Sequence, residues 1–256
     1  MSIPPASKFE KLYKLNERLH KLATTQMAND LNGLDNKSFF ATFILGKAYK
    51  THEATMLLCK HGYGEDAFML SRTLFELMVL MSYILADNTE GRLMRYAEYD
   101  WVTRKQMFDY VVTKDQILKS INEKIGSGIV EPNILALIEA EYKRVMGKYK
   151  YDFRKSWSDK SMQAMAEEIG RGDAYKTVYK LQCIVGHTSP RSMNEYMHQT
   201  DDGLVINTGP NSDMTETALV TSFDFFGTIF EKASKQLEWD TEKELDVLGT
   251  EFGDKI

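Results

Sequence analysis

The stretch SRTLFELMVLMSYIL, residues 71–85, is apolar almost all the way round, yet it carries Arg72 and Glu76 one helical turn apart. A helix that is hydrophobic on every side belongs inside a bundle, where burying either charge alone would be expensive. Residues four apart share a helical face, so the two can pair within their own helix. Two readings are open: an architectural ion pair that fixes helix register, or a polar pocket that binds an anion or performs acid–base chemistry.

Working outward, a preceding helix runs from about Ser38, read as its cap, to about His61, and HGYGED (residues 61–66) supplies a glycine-containing turn. So short a turn implies an antiparallel hairpin of helices. The apolar stripe of the first helix, Phe40, Phe43, Ile44, Ala54 and Leu58, is interrupted by Lys47 and Thr51, with His52 and Glu53 beside them. Pairing positions equidistant from the turn sets Arg72 near residue 54 and Glu76 near residue 50. Polar groups of both helices are therefore expected to converge, with Arg72 and Glu76 largely buried.

The same periodicity extends along the chain. Residues 7–31 place Phe9, Leu12, Leu15, Leu19, Leu22 and Met27 on one stripe. Further helices are expected over 90–116, 131–149, 160–169, 172–186, ending at Gly186 as a left-handed cap, and 214–238. QTDDGLVINTGPNSD (residues 199–213) is turn-rich and reads as a short extended or hairpin insertion near 203–210. The fold class is all-α, a multi-helix bundle. With 256 residues, 43% hydrophobic and 27% charged, the chain is expected to form a single helical domain over 1–256, ending in an acidic, mobile tail at 240–256.

A net charge of −5 provides no global positive field, so a nucleic acid would need a local basic patch. The N-terminus has no basic segment followed by an apolar run, and no stretch approaches the roughly 18 uninterrupted apolar residues of a membrane span. A cytoplasmic protein with no membrane association is expected. Cys59 and Cys183 lack metal-ligand spacing and read as buried thiols.

The second unusual stretch is LQCIVGHTSPRSMNEYMH, residues 181–198. His187, Thr188 and Ser189 occupy a helix-to-helix corner, where Pro190 suits a new first turn and Ser189 its cap. Free backbone N–H groups at such a corner favour phosphate. Arg191 and His198 stand seven apart, so on a continuous helix they would share a face. Arginine neutralises phosphate and histidine titrates near neutrality, so the two suit cleavage of RNA through its own 2′-hydroxyl. The plainer readings are a corner histidine held by hydrogen bonds and a solvated helical face.

Two Glu-x-x-His spacings, Glu17/His20 and Glu195/His198, suggest a di-iron carboxylate bundle, but Glu17 lies opposite the apolar stripe of its helix and the chain order is wrong for that motif. GYG and GSG do not continue into phosphate loops. No metal and no cofactor is expected.

AFMLSRTLFELMVLMSYIL, RLMRYAEYDW, WSDKSMQAMAEEIG and YKTVYKLQCIVGHTSPRS occur in an order that resembles a bacterial family of helical proteins of unassigned function, over roughly residues 38–200. That family is loosely similar to the HEPN superfamily, helical bundles that include metal-independent ribonucleases of toxin–antitoxin and phage-defence systems. The resemblance implies an RNA substrate, a homodimer, and an antitoxin or defence partner. It also implies an arginine followed after four to six residues by a histidine, a spacing met by Arg191 and His198 with Ser192 in the polar position. Before His187 the arginine is missing and Lys180 stands seven residues earlier. In this reading Arg191, or Arg72 if it joins the same pocket, would hold the scissile phosphate, with His187 or His198 as general base or acid and Glu76 orienting the arginine. The rival expectation is a non-catalytic binding protein in which Arg72, Glu76 and His187 are architectural.

Overall fold

Amphipathic periodicity becomes helix along most of the chain. The computed structural model describes residues 6–28, 32–86, 89–111, 113–127, 133–149, 152–187, 189–201 and 203–254. In chain order its helices are α1 (Glu10–Met27), α2 (Asn36–Lys60), α3 (Gly64–Ile84), α4 (Thr89–Val111), α5 (Asp115–Gly126), α6 (Ile134–Lys148), α7 (Met162–Glu168), α8 (Gly172–Ala174), α9 (Lys180–Gly186), α10 (Met193–Tyr196), α11 (Thr215–Gln236) and α12 (Glu242–Gly253). Among the described residues the only sheet is the antiparallel hairpin of β1 (Met197–Thr200) and β2 (Gly203–Ile206). The chain is thus all-α, a multi-helix bundle with a short hairpin insertion. It divides into two compact units, one made of residues 1–86 and 162–256, the other of residues 87–161.

In the larger unit α3 packs against both α2 and α11, and α1 lies across α11 and α2. The core is built from fully buried Ile44 of α2, Phe68, Leu74 and Phe75 of α3, and Phe225, Phe226 and Phe230 of α11. Each such side chain contributes on the order of 1.5–3 kcal/mol of transfer free energy. By length and composition α3 could cross a bilayer, yet 67% of its apolar window is packed inside the protein, as in a core helix. Two glycines make the α2–α3 turn possible. Gly62 has φ +79°, and a Cβ on Gly64 would stand 2.0 Å from the Asp213 carbonyl oxygen, so only glycine admits the 210–215 segment here.

In the smaller unit α4 packs on α6 around buried Val102, Val145 and Phe153, with Tyr99, Tyr142 and Trp157 at the edge. Glu98 is buried here and accepts from Arg144 at 2.7 Å, from Lys148 at 2.9 Å and from the Tyr149 hydroxyl. Burial would raise its pKa, but Tyr149, Arg144 and Lys148 outweigh that and hold it below the ordinary carboxylate value.

Several expectations are corrected. Asp35, not Ser38, caps α2, its Oδ1 accepting from the Ser38 amide at 2.7 Å. The helix expected over 90–116 stops at Val111 and restarts at Asp115, across the β-branched run Val111–Thr113, which loses side-chain freedom in a helix. Gly186 is not a left-handed cap: α9 ends on His187 with φ −106°. The acidic tail forms α12, and its last two residues lie outside the described residues.

Candidate functional site

Arg72 and Glu76 pair within α3, Arg72 Nε donating to Glu76 Oε1 at 3.0 Å. They are half-buried rather than largely buried, with 30% and 38% of their side chains exposed. Their further partners are not on α2. Arg72 Nη1 lies 3.0 Å from His187 Nε2, and Nη2 donates to the Tyr179 hydroxyl at 3.3 Å. Tyr179 in turn donates to Glu76 Oε1 at 2.9 Å. The polar groups of α3 therefore converge with the 175–187 segment, correcting the expectation that they meet α2.

Local sequence explains how that segment delivers its side chains. Residues Tyr175–Tyr179 form a π-helical turn between α8 and α9, a local widening that changes which residues face a neighbour. Tyr179 and Gln182, three apart, both face α3. Gln182 is fully buried and donates to Ser71 Oγ at 2.7 Å, directly before Arg72. Tyr179 packs its ring 5.0 Å from Phe75 and 5.0 Å from Tyr175, while the Arg72 guanidinium sits 5.2 Å above it.

Charge in the cluster follows from this geometry. Burial works against the Arg72 cation, but Tyr179, Cys183 and Glu76 outweigh it and hold the pKa above its ordinary value. Burial, then Glu76, push the Tyr179 phenol up, with Arg72 opposing in part, so the ring stays neutral. Because guanidinium is only a donor, His187 Nε2 must accept, which leaves His187 neutral with its proton on Nδ1. Three of the five guanidinium N–H bonds are thus engaged. The other two have no hydrogen-bond partner among the described residues. His187 is itself exposed.

Arg191 does not join this cluster. Arg191 is exposed and makes no hydrogen bond or ion pair among the described residues; it lies in the 3₁₀ turn Pro190–Ser192. His198 lies in β1, opposite Val205, and its side chain lies outside what is described, as does Thr188. No continuous helix links Arg191 to His198, so their seven-residue spacing does not give a shared helical face. Pairing of 197–200 with 203–206 overrides the local helical pattern. Ser189 precedes Pro190 but caps nothing with its side chain.

His52 belongs to a different cluster. It is fully buried, its Nε2 stands 2.8 Å from Asn16 Oδ1, and its Nδ1 stands 3.3 Å from His20 Nδ1. Asn16 Nδ2 donates to the carbonyls of Leu12 and Leu219, so Oδ1 accepts, His52 carries its proton on Nε2, and His20 donates from Nδ1. Burial, then the His20 charge, lower the His52 pKa to about 3. Glu17 of the first Glu-x-x-His spacing is exposed and paired with Lys60 at 2.7 Å. Among the described residues no group of three His, Cys, Asp or Glu is placed to hold a metal ion.

Sequence reasoning found Arg72, Glu76 and His187 but missed Tyr179, whose signal, a tyrosine three residues before the buried Gln182 in YKTVYKLQC, looks like ordinary helix. The chain belongs to a family of unknown function, DUF5677, which it matches over residues 39–204. No curated protein and no solved structure matches it.

Proposed function

We propose that Arg72, Glu76, Tyr179 and His187 form a phosphate-binding, acid–base site of a metal-independent ribonuclease, acting as a toxin or defence effector. The observation that carries this is the direct contact of Arg72 Nη1 with His187 Nε2 at 3.0 Å in a half-exposed position. A cation for phosphate and a neutral imidazole near it are the two groups that cleavage through a ribose 2′-hydroxyl needs. A phosphate that draws the guanidinium away would free Nε2 to take the 2′-hydroxyl proton. The 2′-oxygen would then displace the 5′-oxygen, which leaves with a proton from solvent. Glu76 and Tyr179 hold the arginine's other edge. The resemblance to the HEPN superfamily adds a homodimer and a partner antitoxin as parts of the proposal.

A second reading, a non-catalytic binding protein, is favoured by one observation: Arg72 is already met on three sides by Glu76, Tyr179 and His187. The two readings separate on incubating the purified protein with single-stranded RNA and DNA in excess EDTA. The ribonuclease cuts RNA and spares DNA, which lacks the 2′-hydroxyl. RNA left intact across pH 6 to 8 favours the binding protein.

A further inference from the structure

The hairpin of β1 and β2 carries its apolar residues on the outside. Leu204, Val205 and Ile206 are 57%, 48% and 60% exposed, and with Gly203 they make β2 a strand without a charge. Edge strands of monomeric proteins are blunted by charged residues, proline or bulges. GLVI has none of these, since Met197–Thr200 pairs with Gly203–Ile206 without a break in register. A two-stranded ribbon on its own is also only marginally stable in water.

The direction of the backbone groups decides what such an edge can take. The Asn207 amide donates to the Tyr196 carbonyl at 2.8 Å, so these two form a hydrogen-bonded pair. Bonded and non-bonded pairs alternate along an antiparallel ladder, so His198–Val205 is bonded, whereas Met197–Ile206 and Gln199–Leu204 are not. The N–H and C=O groups of Leu204 and Ile206 therefore point away from β1, and they have no hydrogen-bond partner among the described residues. The opposite edge of the ribbon, β1, offers Gln199 and Thr200 in place of apolar side chains.

We propose that β2 is the contact through which two copies of this chain associate, the two β2 strands pairing antiparallel about a two-fold axis at Val205. In that register Leu204 of one copy stands opposite Ile206 of the other, the two exchange both of their N–H···O bonds, and symmetry repeats the exchange. Leu204 and Ile206 of both copies then form one apolar row flanked by Met197, and Val205 meets its counterpart on the other face. A second copy is the occupant because the edge is complementary to itself. The paired segment holds no charge, and Asp201 falls opposite Gly209, so the acidic turns stand at opposite ends. This inference rests on the homodimer of the proposed function and supplies its interface.

The test is sedimentation equilibrium of the full chain without RNA, over about 1 μM to 1 mM. Val205→Lys sets like charges against each other at the axis. Ile206→Pro keeps the apolar area but removes an N–H that faces away from β1, so it spares the hairpin. The expected result is a reversible monomer–dimer equilibrium, weakened at least about tenfold by either substitution, with the helical circular dichroism unchanged. Hydrogen exchange at the Leu204 and Ile206 amides should slow as the wild-type concentration rises. A dimer that both substitutions leave intact keeps the homodimer but overturns this interface. A chain that stays monomeric throughout overturns both, while the RNA cleavage assay decides the catalytic site separately.

Discussion

Arg72 Nη1 lies 3.0 Å from His187 Nε2 across 115 residues of chain, so the guanidinium both engages the imidazole and selects its tautomer. Glu76 and Tyr179 hold the guanidinium's other side. The charges inside the apolar helix of residues 71–85 thus have a partner set that reaches the surface.

Partial exposure sets the energy of that set. With 38% of the Glu76 side chain exposed, Glu76→Ala should cost about 1–2 kcal/mol, not the 3–5 kcal/mol typical of breaking a fully buried pair. Tyr179→Phe should cost about 0.5–1.5 kcal/mol. Urea unfolding measures both.

His52 makes stability pH-dependent. Its folded pKa of about 3 lies below the ordinary histidine value, so the unfolded chain binds the proton more readily. This contribution is fully present above about pH 6.5 and is lost as the pH falls, at up to about 1.4 kcal/mol per unit between pH 6.5 and 5. His20, also lowered by burial with Glu53 opposing, adds in the same direction. His52→Gln should flatten the slope seen in denaturation midpoints across that window.

Glu98 anchors α4 to α6. Glu98→Ala removes the carboxylate shared by Lys148, Arg144 and the Tyr149 hydroxyl, but Arg144 keeps Glu141 at 2.8 Å and both cations are nearly half exposed, so the expected loss is about 2–3 kcal/mol. Since the Glu98 pKa is lowered, its stabilisation is present above the ordinary carboxylate pKa and disappears as pH falls through the folded value. Thermal melts of wild type and variant at neutral and acid pH check both statements.

Gly64→Ala tests the close approach at the α2–α3 turn. Its Cβ would stand 2.0 Å from Asp213 O and 2.6 Å from Thr215 N, both backbone atoms. A loss of about 2 kcal/mol or more is expected, against about 0.5–1 kcal/mol gained from helix propensity at an open position.

Helix periodicity made most of the architecture legible. The stripes through Leu12, Leu15 and Leu19, and through Phe225, Phe226, Ile229 and Phe230, are buried as local pattern predicts. Arg72 and Glu76 stood out because they break such a pattern. What stayed hidden depends on contacts distant in sequence or on small distortions of regular helix. Tyr179 reaches Arg72 through a π-helical turn that shifts its face. Glu98 gains its cations from α6, 46 and 50 residues onward. His198, expected on a helix with Arg191, lies instead in a strand because 197–200 pair with GLVI at 203–206, which is how the expected Arg191/His198 face was lost.

The most direct test of the Arg72–His187 site is the initial rate of RNA cleavage in excess EDTA by wild type and by His187→Ala. Their helical circular dichroism should be identical, since His187 is exposed. If the imidazole is the base that Arg72 releases on taking up phosphate, the variant should be slower by roughly 10² to 10⁴. A variant that cleaves at the wild-type rate would contradict the site assignment.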